Sequence, residues 1–117
     1  MHEMALAQNI INIVEQVMEC NGVEKVKAIH ITAGKMSLVL PDSLQSCFDI
    51  LTKNTKLEGT ALDIKFMPLI YHCPICSKIF VSEDMIDNCI CCGWGNLMPI
   101  FGRSVKIEGI EVLNEVT

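Results

Sequence analysis

Between Cys73 and Cys92 the chain carries two C-x2-C pairs, Cys73-Pro74-Ile75-Cys76 and Cys89-Ile90-Cys91-Cys92, separated by twelve residues. Each short knuckle lets both of its sulfurs reach one ion at about 2.3 Å without backbone strain, so the spacing predicts a tetrahedral set of four thiolates. Soft sulfur donors select Zn(II) over harder cations, and four protein ligands leave no position for an activated water. The expected role is therefore structural. A redox pair would need a single C-x-x-C beside a strand–helix pattern, whereas two pairs stand here a loop apart. A disulfide framework fits poorly with seven cysteines, an odd count, and with a sequence that opens on no secretory signal. Cys91 is a spare thiol that could exchange with Cys92, and His72 beside Cys73 is a second substitute. Both are read as bystanders.

A chain of 117 residues, half of them hydrophobic and a fifth charged, has enough apolar material for one compact domain with a small metal-stapled lobe. The small lobe, placed at residues 69–101, is expected to need its metal, with Ile79, Phe80, Val81 and Trp94 as apolar material to pack over the ion. Net charge is −5. From Leu69 to Gly102 Lys78 is set against Glu83, Asp84 and Asp87, a balance that repels phosphate and disfavours a zinc-ribbon module for nucleic acid. A protein-binding ribbon is the remaining alternative of that class. No apolar run approaches the roughly 18 residues of a membrane span, and the expected location is the cytoplasm.

Outside the lobe, hydrophobic periodicity organises the chain. Met4, Ala7, Ile10, Ile11, Val14, Val17 and Met18 recur at helical spacing, and Asn21-Gly22 suits a helix end. Residues 23–33 alternate as a strand, with Val26, Ala28, His30 and Thr32 on one face and Lys27, Ile29 and Ile31 on the other. Met36 to Leu40 adds a short extended piece, and Pro41 opens a second helix with a stripe of Leu44, Cys47, Phe48 and Leu51 that stops near Asn54. Ala61 to Met67 alternates as a second strand ended by Pro68. After Gly102 a third strand changes phase at Gly109, as a bulge would require. The pattern predicts an α+β fold: a three-stranded sheet with two helices on one face, and a zinc-ribbon-like lobe inserted between two strands. Residues 1–68 and 102–117 form the main domain in this reading.

The sequence opens Met1-His2-Glu3. A histidine at position two groups the terminal amine, its own amide nitrogen and its imidazole into fused chelate rings, a planar nitrogen set suited to Ni(II) or Cu(II). Glu3 either lends an oxygen to such an ion or complements the positive start of the helix. Ligation needs neutral nitrogen donors, so binding should weaken as pH falls. His30 is read as a histidine satisfied by a hydrogen bond rather than as a further ligand. Met4, Met18 and Met67 read as core, as do the thiols of Cys20 and Cys47. No nucleophile stands beside a base at readable spacing, so an enzyme is not expected.

Taken together, Met1-His2-Glu3, the first helix, the strand ending in Gly34, Pro41-Asp42-Ser43-Leu44 with Phe48, the strand from Ala61 to Phe66, the paired knuckles, and Gly102-Arg103 to Val112 resemble the HypA/HybF family of hydrogenase-maturation nickel metallochaperones. The resemblance covers essentially the whole chain. It implies a nickel-binding domain and a separate zinc lobe, with Ni(II) as cargo and Zn(II) as the structural ion. It also implies delivery to the large subunit of [NiFe]-hydrogenase, in some members to urease, together with a nucleotide-hydrolysing nickel chaperone. His2 then corresponds to the family's nickel ligand, with the Met1 amine and Glu3 as neighbours in the site, and Cys73, Cys76, Cys89 and Cys92 correspond to its zinc ligands. Cys91 departs from the pattern. The expected state is a monomer or weak homodimer, with no nucleic-acid or membrane partner.

Overall fold

The computed structural model describes residues 3–113. Contacts divide the chain into two compact units. One holds the described residues up to Ile31, Val39–Lys65 and the described residues from Lys106; the other holds Thr32–Leu38 and Phe66–Val105.

The first unit is built on α1 (Glu3–Asn21), whose 3.6-residue repeat buries Leu6, Ala7, Ile10, Ile11, Val14 and Met18. Met4 and Val17, expected on the same stripe, are exposed at its margins, and the Cys20 thiol is exposed rather than in the core. The helix ends because Gly22 adopts φ +64 and the Val23 N–H donates to the Met18 carbonyl at 2.9 Å, a glycine-terminated Schellman closure. Against α1 packs α2 (Pro41–Thr52), with Pro41 in the first turn where its missing N–H costs nothing. It buries Leu44, Phe48 and Thr52, and the Thr52 hydroxyl donates to the Phe48 carbonyl at 2.8 Å.

Strands β1 (Val26–Gly34), β2 (Ala61–Met67) and β6 (Val105–Val112) form a sheet in the order β2-β1-β6. The fold is α+β with two helices, as the periodicities predict. Ile29, Ile31 and Ala33 are buried from β1, but so is Val26, while Lys27 is exposed. The inward phase thus slips by one residue before Ile29, which frees Lys27 to ion-pair with Glu111 at 3.3 Å. Strict alternation from the sequence put Lys27 on the wrong face. Two polar clamps fix the edges of this core: the Thr60 hydroxyl donates to the Val26 carbonyl at 2.8 Å, and Gln45 Oε1 accepts from the Leu62 N–H at 2.8 Å.

The second unit carries β3 (Leu69–His72), β4 (Ile79–Ser82) and β5 (Pro99–Phe101) in an antiparallel sheet ordered β4-β3-β5. Its core is Leu69, Tyr71, Cys73, Cys89 and Leu97, with Phe80 and Trp94 packed against it and the Tyr71 and Phe80 rings stacked 5.6 Å apart. Ile79 and Val81, expected to pack over the metal, point to solvent because they alternate with Phe80 along β4. Residues Lys35–Ser37 form a 3-10 turn instead of the extended piece expected there, since the Met36 N–H donates to the Gly102 carbonyl and Leu38 takes φ 60. Here two backbones nearly touch: a Cβ on Gly34 would lie 2.3 Å from the Gly102 carbonyl carbon. Backbone cannot rotate aside as a side chain can, so Gly34→Ala is expected to cost about 2–3 kcal/mol or more in a urea unfolding titration. Gly102→Ala meets a Leu69 methyl instead and should cost less.

Candidate metal centre

The knuckles are built alike. In the first, the Cys73 N–H donates to the Lys78 carbonyl at 3.0 Å, and the Ser77 N–H donates back to the Cys73 carbonyl at 2.8 Å. In the second, Cys89 donates to the Trp94 carbonyl at 2.8 Å and Gly93 to the Cys89 carbonyl at 2.9 Å. Both reversals pass through a left-handed residue one place after the second cysteine, Ser77 at φ 63 and Gly93 at φ 80. The turn aims both sulfurs of a pair to the same side.

The Sγ atoms of Cys73, Cys76, Cys89 and Cys92 all lie within 4.8 Å of one another. Cys73 and Cys92 approach to 3.6 Å, as do Cys76 and Cys89. Sulfurs bound at about 2.3 Å around a tetrahedral ion stand about 3.8 Å apart, so the cage has the dimensions for one metal. Cys91 is exposed outside this group and gives its N–H to the Cys89 sulfur at 3.4 Å. His72 is exposed on β3.

Three of these thiols, those of Cys76, Cys89 and Cys92, are displaced from the ordinary thiol range by their neighbours. The Cys92 N–H, and after it the Cys91 N–H, hold the Cys89 thiol down to about 6 against the effect of burial. At Cys76 the Lys78 N–H lowers the pKa, but burial and the three neighbouring thiols outweigh it and push the group up to about 12. At Cys92 the Trp94 N–H likewise lowers it, and burial with the Cys73 thiol outweighs that too. One thiolate thus forms readily and suppresses the next, and a cation is what allows all four to stay deprotonated.

Met1 and His2 lie outside the described residues. Glu3 opens α1 and is half-buried. His30, half-buried on β1, bridges two carboxylates: Nδ1 is 2.9 Å from Asp63 Oδ2 on β2, and Nε2 is 3.3 Å from Glu111 Oε1 on β6. Its ring is satisfied by hydrogen bonds on both nitrogens. The Asp63 bond first, then that of Glu111, raises the His30 pKa above 6.5, and the His30 bond, then that of Lys27, lowers Glu111 below 4.5. A raised histidine adds stability in full below about 6.5 and loses it as pH climbs through the folded value. A depressed carboxylate adds stability above about 4.5 and loses it as pH falls through its own. The bridge is therefore strongest between those limits. NMR titration of the ring protons should give His30 a pKa above 6.5, and Asp63→Asn should bring it down; an unmoved value would mean that bond does not form in solution.

Comparison with known proteins bears on the whole chain. The family described as "Hydrogenase/urease nickel incorporation, metallochaperone, hypA" matches residues 1–112. A hydrogenase maturation factor HypA of a Nostoc species is 38% identical over 112 residues, 96% of each chain, and that of Lawsonia intracellularis is 40% identical over 84 residues, 72% of this chain and 71% of its own. The solution structure of the Ni metallochaperone HypA from Helicobacter pylori superposes with a TM-score of 0.72 at 21% identity, covering 98% of this chain and 100% of that one. A second HypA solution structure gives 0.76 at 21% identity, over 97% of this chain and 98% of its own.

Proposed function

The chain belongs to the HypA family of hydrogenase/urease nickel-incorporation metallochaperones, and on that premise we propose that it binds Ni(II) through Met1, His2 and Glu3 and hands it to the large subunit of [NiFe]-hydrogenase. The family is one of maturation factors rather than catalysts. The observation that carries the reading is a match spanning residues 1–112, so that the opening Met1-His2-Glu3 and both cysteine knuckles fall inside it. Nickel is cargo. Nitrogen donors at the end of a chain can be replaced one at a time by an acceptor's ligands, which lets the ion leave without the donor unfolding.

The thiolate cage serves as the structural site in this proposal, holding Zn(II) through Cys73, Cys76, Cys89 and Cys92. Donor softness and the sulfur spacing support that assignment. The ion would supply the cross-link that a lobe with a five-residue core lacks. Residues 1–68 and 102–117 act as the nickel-binding domain and 69–101 as the zinc domain. A nucleotide-hydrolysing chaperone of the same pathway assists transfer, and urease maturation is a second destination. The cytoplasm is the location in which unpaired thiols persist; no described helix is long and apolar enough to cross a membrane.

The test is transfer. Untagged protein starting at Met1, loaded with zinc and one equivalent of nickel, should deliver nickel to metal-free hydrogenase large subunit faster than the same concentration of free ion. Failure to take up Ni(II) at neutral pH would remove the carrier role altogether.

A further inference from the structure

The two nitrogens of His30 meet their carboxylates at different distances. Nδ1 lies 2.9 Å from Asp63 Oδ2, ordinary for a charge-assisted hydrogen bond, whereas Nε2 stands 3.3 Å from Glu111 Oε1, which is long for one. Only the charged ring donates from both nitrogens. The neutral ring has one N–H, and the shorter contact assigns it to Nδ1. Nε2 then turns its lone pair toward a carboxylate oxygen, two acceptors that only a cation can join.

Their separation suits a metal ion. Nitrogen and oxygen donors at about 2.0–2.1 Å from a tetrahedral ion stand about 3.3–3.4 Å apart. A carboxylate on the far nitrogen of the ring is how metal-binding histidines are held in one tautomer and made more basic. Asp63 holds that place from β2, while the ring comes from β1 and Glu111 from β6, so the strand order supplies all three groups. Lys27 Nζ takes the other oxygen of Glu111, Oε2, at 3.3 Å, which leaves Oε1 for the ring.

We propose that His30 Nε2 and Glu111 Oε1 bind a divalent first-row transition ion, with Asp63 as the positioning residue and water in the remaining positions. An imidazole and a carboxylate make a harder donor set than four thiolates, open to Zn(II), Co(II) or Ni(II). None of these residues belongs to Met1-His2-Glu3 or to the cage, so this site stands independently of the nickel carrier reading. Its affinity is modest. Two protein ligands are few, the Lys27 ammonium repels the ion, and around them the exposed Lys65 and Lys106 outnumber Glu108. The side chains of His30 and Glu111 are 41% and 45% exposed, so the ion enters from water and exchanges with it.

The test uses the full chain with its cage filled by zinc and with His2→Ala, at pH 8, where protons compete little for the ring. Calorimetry should show a further equivalent of Zn(II) binding, and added Co(II) should broaden the ring resonances of His30 in preference to those of His72. His30→Gln or Glu111→Gln should weaken binding by about tenfold or more, and Asp63→Asn by about tenfold. Lys27→Met separates a metal site from a plain ion-pair clasp, since loss of the repelling charge should tighten Zn(II) by about threefold or more. Far-UV circular dichroism and cage zinc content, measured alongside, report folding of each variant. No further equivalent, broadening at His72 instead of His30, affinity unmoved by Glu111→Gln, or Lys27→Met binding no tighter would each overturn the proposal.

Discussion

Protein carrying Cys73→Ser is expected to lose the metal of its thiolate cage, zinc in the proposed reading, and with it the order of β3, β4 and β5, while α1 and α2 keep theirs. Two of the five residues in the lobe's core, Cys73 and Cys89, are themselves members of the cage. Removing the metal therefore removes part of the core as well as the cross-link. Structural zinc contributes about 10–16 kcal/mol to folding in zinc-finger peptides, as much as the whole stability of a typical domain, about 5–15 kcal/mol. The first unit stands on different ground, with Ile10, Val14, Ile29, Ile31, Leu44 and Phe48 buried and none of them near a cysteine of the cage in sequence. Amide hydrogen exchange checks this directly. Protection should vanish across 69–101 and persist along 6–18 and 44–52, and a chelator should reproduce the pattern in the unaltered protein. Protection retained at Tyr71 and Phe80 after complete metal loss would show that the lobe folds on its stacked rings and strand pairing alone.

Sequence periodicity reached as far as elements long enough to repeat. The nineteen residues of α1 pass through five turns, so the buried stripe and the Gly22 terminus could be read directly. The strands of the lobe are three and four residues long, too short for alternation to separate them from loop, and their placement follows from the knuckles, not from propensity. The cage itself was legible because C-x2-C spacing is a local constraint. What it is built from was not: the matching reversals at Ser77 and Gly93 show only in the backbone angles. Long-range pairings were hidden as well. His30 finds Asp63 and Glu111, 33 and 81 residues away, only after β2 and β6 flank β1. The approach of Gly34 to Gly102 is of the same kind, since a glycine does not announce in sequence whether it serves a turn or a contact.

His2→Ala is expected to weaken Ni(II) binding by about 100-fold or more, beyond what the loss of an outer-shell partner costs a metal site, and to leave zinc content unchanged. Loss of the imidazole deletes one chelate ring and leaves the amine and amide to bind alone. The four thiolates are not altered by the substitution, so the zinc stoichiometry is the internal control. Adding one residue before Met1 should weaken nickel binding comparably, because the amine is then displaced while the imidazole stays. The two variants separate the donors: full affinity after the extension would exclude the amine, and full affinity in His2→Ala would exclude the imidazole. For the native sequence, calorimetry repeated at falling pH should show affinity declining through the region where histidine gains its proton, near about 6.5, since ligation and protonation compete for one nitrogen. A pH-independent affinity would instead place nickel on donors already deprotonated across that range, and the carrier site would have to be sought away from His2.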